Sequence, residues 1–186
     1  MRKSRAETAE TRTRIVEVAA REFRKNGIQA TSISEIMAAA GMTNGGFYRH
    51  FESKEQLVAA ASAQALAELV EAASEAAGAG KNDFHKYIQS LLSEKYRDDR
   101  LGGCPLVAMG SEIARADADI RRSASQGFQD LIDVFAQQEV AETPAQGRAE
   151  AMFKLSAMIG AVTMARIVDD EKVSRSILLE AKRRLT

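Results

Sequence analysis

The sequence is poor in the residues from which most catalytic and metal sites are built. It contains one cysteine, Cys104, and two histidines, His50 and His85, which lie far apart. A single cysteine excludes a disulfide within the chain and fits a reducing compartment, so we expect a cytoplasmic protein. Because we find no nucleophile–base pair, no metal-ligand spacing and no glycine-rich cofactor loop, we expect no enzymatic activity, metal or cofactor.

Long apolar runs are also missing. The longest, residues 155–165, is interrupted by Ser156, Gly160 and Thr163. It has about half of the roughly 20 apolar residues that a membrane-spanning helix needs. The first twelve residues, MRKSRAETAETR, are polar and do not have the pattern of a signal peptide. We therefore expect no membrane partner.

The charges balance over the whole chain but are unevenly distributed. Residues 1–56 contain ten basic and seven acidic side chains, a net charge of +3, and residues 57–186 carry −3. The positive excess at the N-terminus favours a nucleic-acid partner for that part of the chain. Arg2, Lys3 and Arg5 form a basic arm, which is either an ordinary solvated tail or a contact to phosphates or the DNA minor groove.

Residues 31–57 contain several helix signals separated by very short connections. Ser32 and Glu35 have the spacing of a capping box, which begins a helix, and Gly41 suits the left-handed residue that ends one. Thr43 can cap a second helix of about two turns that continues to His50. Two short helices joined in this way are typical of a helix-turn-helix unit.

The second of these helices has features that favour contact with DNA. Gly45 and Gly46 together lower its helix propensity by about 2 kcal/mol relative to alanine. Residues without side chains allow a helix start to approach another surface closely, and helix N-termini bind phosphates. Phe47 and Phe51 can anchor the helix to a core, which leaves a polar, basic face for the major groove.

An ordered set of residues in this segment resembles a known signature. The set consists of Ile36, the run Ala40-Gly41-Met42-Thr43-Asn44-Gly45, the run Phe47-Tyr48-Arg49-His50-Phe51, Lys54 and Leu57. It resembles the DNA-binding signature of tetracycline-repressor-like (TetR) transcriptional regulators and covers about the first third of the chain. The resemblance implies an all-α fold of about nine helices. Residues 1–52 would form a helix-turn-helix DNA-binding domain, and residues 53–186 a helical ligand-binding and dimerisation domain.

The resemblance also implies a function. We expect a homodimeric transcriptional regulator, usually a repressor in this family, that binds a pseudo-palindromic operator in double-stranded DNA. An unknown small-molecule inducer or a thiol modification would release it. The alternative is a small-molecule-binding or adaptor protein of the same fold without operator binding. The expected DNA-binding residues are Ser32, Thr43, Asn44, Gly45, Tyr48, Arg49, His50 and Lys54. Of these, Asn44 and Arg49 would read bases, and Thr43, Tyr48, His50 and Lys54 would contact the DNA backbone.

The remaining sequence predicts seven further helices. The first covers residues 7–25 and ends at a turn formed by Asn26 and Gly27, so that the first three helices would form a compact N-terminal unit. Ser53 and Gln56 begin a rigid, alanine-rich connector that continues to about residue 77 and is followed by a linker at residues 78–81. A helix starting at Asn82 or Asp83 carries one apolar stripe from Phe84 to Tyr96. A charged loop follows at residues 97–103. Four more helices are expected at about residues 106–114, 117–138, 143–168 and 171–184. Asp117 or Asp119 would cap the second of these, and Thr143-Pro144 would begin the third.

Cys104 immediately precedes Pro105, a residue favoured at the first helical position. Cys104 would therefore be an N-cap, where the helix dipole lowers the pKa of a thiol. It is either a redox-sensing residue or simply a small residue that closes a loop. The resemblance further implies a ligand pocket, although its candidate residues could equally be ordinary core. These candidates are Tyr87, Leu91, Met109, Phe128, Phe135 and Met158.

The last two helices are the expected dimer interface. Ala157, Ala161 and Ala165 recur at a spacing of four residues beside Gly160, which would allow a partner backbone to approach closely. Two such helices from each subunit can form a four-helix interface. The alternative is that they complete the core of a monomer.

Overall fold

The computed structural model describes residues 5–99 and 103–186, and within these ranges the chain is helical without β-strands. Its elements are α1 (Arg5–Asn26), α2 (Ile33–Ala39), the 3₁₀ helix η1 (Asn44–Arg49), α3 (Lys54–Gly78), α4 (Lys81–Leu91), α5 (Glu94–Asp98), α6 (Pro105–Ile113), α7 (Ala118–Ala136), α8 (Pro144–Ile167) and α9 (Glu171–Leu185). The predicted all-α fold with an N-terminal three-helix unit is confirmed. Arg2 and Lys3 of the basic arm lie outside the described residues.

Side-chain caps begin several helices where the sequence predicts them. Ser32 and Glu35 form a reciprocal capping box at α2. The other predicted caps that accept backbone N–H groups are Ser53 at α3, Asp117 at α7 and Thr143 at α8. Gly27 and Gly41 have φ values of +88° and +72° after α1 and α2, a conformation that glycine adopts without strain. Local signals therefore fix these helix ends.

Two apolar clusters organise the packing. The first joins α1, α2 and η1 to the beginning of α3 and to α6 and α7, and includes Phe23, Phe47 and Met109. The second joins the far end of α3 to α4, α7, α8 and α9, and includes Phe84 and Phe135. α3 contributes residues to both clusters. It therefore connects the N-terminal unit to the larger C-terminal bundle, and the expected domain boundary at residues 52/53 stays a prediction.

α3 is also the one helix in the described ranges that is long and apolar enough to cross a membrane. Its composition has another explanation, because α3 packs against both α1 and α7, and 39% of its apolar window is buried inside the protein. A core helix meets the same criteria of length and composition, so this helix is weak evidence for a membrane partner.

The apolar stripe from Phe84 to Tyr96 is divided between two helices, so the prediction of one helix is wrong. Ser93 causes the break: its hydroxyl accepts from the Tyr96 amide at 3.1 Å and donates to the Ser90 carbonyl at 2.6 Å. α4 also begins at Lys81, one residue earlier than predicted. The linker is reduced to Ala79 and Gly80, and Gly80 has a φ of +113°.

Arg97 was predicted to lie in a charged loop but is a buried part of α5. Its guanidinium donates to Asp98 at 2.7 Å, to Glu171 at 3.2 Å and to the Ser174 hydroxyl at 2.7 Å. Ser174 in turn donates to the Ala165 carbonyl at 2.6 Å. A buried charge needs such partners, so this network fixes α5 against α8 and α9.

The contact between α3 and α7 generates a stability prediction. A Cβ at Gly127 would lie 2.6 Å from the Leu66 Cβ, an atom held by the helix backbone. We expect Gly127→Ala to lower the free energy of unfolding by about 1–3 kcal/mol through overpacking. Denaturation followed by circular dichroism at fixed protein concentration measures this change.

Gly110→Ala is the matched control for Gly127→Ala. A Cβ at Gly110 meets no atom within 4 Å. Gly110→Ala should raise the free energy of unfolding by up to about 1 kcal/mol, because alanine has a higher helix propensity than glycine. Equal effects of the two substitutions would contradict the close α3–α7 contact.

Candidate nucleic-acid interface and ligand cavity

The element between α2 and α3 is shorter and tighter than the predicted two-turn α-helix. η1 contains six residues in 3₁₀ geometry. The Gly46 amide donates to the Thr43 carbonyl at 3.0 Å, and the His50 amide donates to the Phe47 carbonyl at 2.9 Å. Thr43 occupies the N-cap position, but its side chain accepts no capping hydrogen bond. The two glycines and the missing cap explain why this segment does not form a regular α-helix.

Two phenylalanines anchor η1, as the sequence predicts. Phe47 is fully buried, and its ring stacks on that of Phe51 with 5.6 Å between centroids. The Arg12 guanidinium of α1 lies 4.6 Å from the centre of the Phe51 ring, a cation–π distance. One side of η1 is therefore held firmly against α1 and α2.

The opposite side of η1 is open to solvent. Thr43, Asn44, Gly45, Tyr48 and Arg49 are all exposed, and the Tyr48 side chain is one of the most exposed large side chains, at 70%. The rings of Tyr48 and Phe47 form an edge-to-face contact with 5.2 Å between their centroids. This contact with a buried ring supports the orientation of the Tyr48 side chain. Five of the eight predicted DNA-binding residues therefore share one outward surface, which we call the η1 surface.

The other three predicted DNA-binding residues flank the η1 surface. The Ser32 hydroxyl is occupied by Glu35, to which it donates at 2.7 Å, and hydrogen bonds from Ser32 lower the pKa of Glu35. Lys54 is half-buried, and its ammonium donates to the Ile28 carbonyl at 2.7 Å. His50 is half-buried at the end of η1. Ser32 and Lys54 therefore have structural partners, and their contact with DNA stays a prediction.

A carboxylate from α6 holds the turn that follows α1. Glu112 accepts the Ile28 amide at 2.9 Å and the Gln29 amide at 2.8 Å. Gly27 permits this approach, because a Cβ there would lie 3.1 Å from the carboxylate. Lys54 donates to the carbonyl of the same turn. We call this the Glu112 clasp. The sequence predicted the turn at Gly27 but not its partner.

An apolar cavity lies between α3 and the helices that follow it. Four of the predicted pocket residues line it: Tyr87, Leu91, Phe135 and Met158. Its volume is about 30 Å³, counted as space open to the centre of a water molecule, and one water needs about 10–15 Å³ on this measure. The cavity is therefore nearly closed. Any ligand larger than a few waters must displace its walls.

Two predicted pocket residues do not line this cavity. Met109 is fully buried in the first apolar cluster, and Phe128 packs against the second cluster. Of the nine wall residues that were not predicted as pocket residues, the three that belong to α5 and α6 are Tyr96, Leu106 and Val107. They lie on either side of residues 100–102, and no local pattern in the sequence indicates that α5 and α6 meet at a cavity.

Cys104 is also on the cavity wall, at the N-cap of α6 as predicted. The predicted lowering of its pKa is wrong. Burial raises the pKa of this thiol, and this effect outweighs the backbone N–H groups of Leu106 and Val107, which act in the opposite direction. Burial likewise raises the pKa of the Tyr87 and Tyr96 phenols. The polar groups of the cavity are therefore neutral near pH 7.

The exposed apolar face of α8 and α9 differs from the predicted alanine row. Ala165 is buried, and Ala157 and Ala161 pack against the core of their own chain. Gly160 faces open space. The apolar side chains that remain exposed are Met152, Phe153, Met164 and Ile167 on α8 and Val173 and Leu179 on α9. We call this set the α8–α9 face.

Family models match both parts of the chain. Residues 15–61 match the model of bacterial regulatory proteins of the tetR family. Residues 81–177, more than half of the chain, match the C-terminal domain of LmrA/YxaF-like transcriptional regulators. The two matches correspond to the N-terminal three-helix unit with the start of α3, and to the bundle that encloses the cavity.

Curated relatives align over a short segment. The chain is 46% identical over 56 residues to the HTH-type transcriptional regulator AcrR of Shigella flexneri, covering 30% of this chain and 26% of that protein. It is 42% identical over 60 residues to the regulator TtgR of Pseudomonas putida, covering 32% and 29% respectively. The aligned segment thus spans less than a third of each relative.

Solved structures align along nearly the whole chain. NemR of Escherichia coli in its reduced form superposes with a TM-score of 0.80 at 20% identity, covering 95% of both chains. A TetR transcriptional regulator of Chloroflexus aurantiacus superposes with a TM-score of 0.72 at 29% identity, covering 97% of this chain and 94% of that one. The shared fold and the model that matches more than half of the sequence lead to one conclusion: this chain belongs to the TetR family of transcriptional regulators.

Proposed function

We propose that the protein is a homodimeric, operator-binding transcriptional repressor that a small molecule in the apolar cavity releases from DNA. The η1 surface carries this proposal: its polar and basic side chains face solvent while Phe47 and Phe51 hold the element from behind. The relatives that align with the chain are named as transcriptional regulators. Binding to chromosomal DNA implies a cytoplasmic site of action.

The side chains of the η1 surface suit two kinds of DNA contact. Asn44 can pair with adenine and Arg49 with guanine through two hydrogen bonds each. Thr43 and Tyr48 carry hydroxyl groups that suit phosphate oxygens, and such contacts fix the position of a protein on DNA without reading its sequence. Both pairs are exposed on η1. His50 and Lys54 would add contacts at its edge.

The α8–α9 face supports the homodimer. It contains large exposed apolar side chains. A Cβ at Gly160 on α8 would meet no atom within 4 Å, so a partner helix could approach closely there. A contiguous exposed apolar face is typical of a protein–protein interface. Pairing of two identical faces gives a two-fold axis, which matches a pseudo-palindromic operator with half-sites about 34–36 Å apart.

α6 provides a route from the cavity to the N-terminal unit. Leu106 and Val107, at the start of α6, line the cavity, and Glu112, near the end of α6, forms the clasp on Ile28 and Gln29. A ligand that pushes the cavity wall outward would move α6 and with it the clasp. Such a ligand shifts the equilibrium only by its difference in affinity for the two arrangements.

The structure favours reversible binding over thiol chemistry as the trigger. A reactive cysteine needs its thiolate, and burial raises the pKa of Cys104. We therefore propose a non-covalent inducer, with Cys104 as part of the wall that it contacts.

We expect Asn44→Ala and Tyr48→Ala to weaken DNA binding in different ways. Asn44→Ala should reduce the preference for the operator over a base-substituted site by about 1–3 kcal/mol because it removes a base contact. Tyr48→Ala should weaken binding to both DNAs equally. Fluorescence anisotropy with a fragment identified by footprinting upstream of the gene measures both effects.

The same titration tests the alternative function. An adaptor or small-molecule-binding protein without operator binding would show no salt-dependent affinity for any fragment. Identical losses of discrimination for Asn44→Ala and Tyr48→Ala would contradict our division between base-reading and phosphate-binding residues.

For the dimer, we expect Phe153→Asp to produce monomers, because it replaces a large exposed apolar side chain of the α8–α9 face by a charge. Val140→Asp is the matched control: Val140 is 91% exposed and lies outside α8 and α9. Sedimentation of both variants over a range of concentrations measures the association. A Phe153→Asp protein that remains as dimeric as the control would exclude this face as the interface.

We expect Glu112→Gln to weaken the clasp, because the amide side chain keeps only one acceptor oxygen for two N–H donors. Hydrogen exchange of the Ile28 and Gln29 amides should become at least about tenfold faster, which corresponds to about 1.4 kcal/mol. Glu71→Gln, an exposed position on α3, is the control. Unchanged exchange at Ile28 and Gln29 would show that the clasp does not hold this turn.

A further inference from the structure

A second, wider space lies beside the apolar cavity. Its volume is about 270 Å³, and it is bounded by Arg24 of α1, Glu68 of α3 and Ser90 of α4. It shares four wall residues with the cavity, namely Leu69, Tyr87, Leu91 and Tyr96. We call this space the vestibule. A ligand that enters the cavity from this side passes between apolar side chains and two phenol rings.

Arg24 places a fixed positive charge on the wall of the vestibule. Its side chain is only 13% exposed, and its Nε donates to the Ala20 carbonyl at 3.2 Å. A guanidinium remains charged at every pH at which the protein is folded. Because the stem is held within α1, the charge stays at this position whether or not a partner is present.

The acidic partner of Arg24 is held much less firmly. Glu68 is 43% exposed, and its carboxylate lies 3.4 Å from the Arg24 Nη2, longer than a strong charge-assisted hydrogen bond. It also accepts from Gln64 on the same helix at 3.3 Å. Because Arg24 is mostly buried, it needs an anionic partner, whereas the carboxylate of Glu68 is well solvated outside the pair. Glu68 can therefore leave Arg24 at small cost when another anion takes its place.

A second guanidinium strengthens the positive field at this end of the cavity. Arg166 of α8 donates to the carbonyls of Tyr96, Arg97 and Asp99, and its Nη2 lies next to Gly103. Arg24 and Arg166 both act to lower the pKa of the buried Cys104 and Tyr96, although burial has the larger effect. The field near Gly103 and Cys104 thus favours negative charge and disfavours a cation.

We propose that the vestibule and the cavity together bind a small amphipathic carboxylate. Its carboxylate replaces Glu68 at Arg24, and its apolar body passes Tyr87 and Tyr96 into the cavity. This inference rests on the proposed function, in which the cavity is the regulatory ligand site. A narrow, unbranched body suits the small volume of the cavity, and the flexible side chain of Met158 can adjust to it.

Binding of such a ligand would also break a contact between the two parts of the protein. Arg24 belongs to α1 of the N-terminal unit, whereas Glu68 belongs to α3. A carboxylate that takes Arg24 from Glu68 removes an α1–α3 ion pair and connects the ligand directly to α1. This route to the η1 surface is separate from the one through α6 and the Glu112 clasp.

Isothermal titration calorimetry on the full chain tests the charge preference. The probes are hexanoate, octanoate and decanoate, with the matched neutral amides and alkylammonium ions. For the chain length that fits best, we expect the carboxylate to bind at least about tenfold more tightly than the amide or the ammonium ion. An ammonium ion that binds as tightly as the carboxylate would overturn the proposal, and so would failure of every carboxylate to bind.

Three variants test the role of Arg24. Arg24→Gln should weaken carboxylate binding about tenfold and leave amide binding unchanged. Glu68→Gln should strengthen carboxylate binding because it removes the competing anion. Arg21→Gln, an exposed position on α1, should change neither. Equal weakening of carboxylate and amide binding by Arg24→Gln would indicate a purely structural role and would overturn the proposal.

Operator binding separates this inference from the proposed function. If carboxylates bind with the expected charge preference but leave operator affinity unchanged, the ligand class is supported and ligand-induced release is refuted. If the chain binds its operator and a neutral compound releases it, while no carboxylate binds, the repressor function is supported and the carboxylate site is refuted.

Discussion

The two hydrogen bonds from the Ile28 and Gln29 amides to the Glu112 carboxylate join the N-terminal unit to α6, in addition to the packing of α1 against α3. A turn that leaves a helix exposes backbone groups that need partners, and Glu112 supplies them from a helix more than 80 residues away. Lys54 completes the arrangement at the Ile28 carbonyl. Apolar packing alone is non-directional, whereas these contacts fix one orientation. A movement of α6 would therefore act directly on the turn between α1 and α2.

Helix beginnings were predictable from the sequence because their signals are local. Ser32, Ser53 and Thr143 each accept an N–H three residues ahead, so the capping residue and its partner can be found in the same short stretch. The break at Ser93 was not predictable from periodicity, because the apolar face continues from α4 into α5. The 3₁₀ geometry of η1 was also missed, although the glycine pair that weakens its helix propensity was noted.

The candidate site likewise combines local features that the sequence predicts with long-range contacts that it does not. The outward face of η1 followed from the spacing of Phe47 and Phe51, four residues apart on one segment. Contacts made at long range had no signal in the sequence: Arg24 meets Glu68 across 44 positions, and Arg97 meets Glu171 across 74. The pKa of Cys104 shows the physical reason. The position of Cys104 at a helix start can be predicted from the neighbouring sequence, whereas its burial depends on the whole fold. Burial has the larger effect on the pKa of this thiol.

The nearly closed cavity places a constraint on any inducer. Because its volume holds only a few waters, binding must move its walls, and the walls belong to helices that reach the N-terminal unit. Cys104, Leu106 and Val107 connect one wall to the Glu112 clasp, and the vestibule brings Arg24 of α1 close to the cavity. Under the proposed function, a ligand that binds the expanded arrangement more tightly would shift the equilibrium between DNA-bound and released protein by its difference in affinity for the two arrangements. Under the proposed function, the small volume of the cavity would therefore make movement of its walls a requirement for inducer binding.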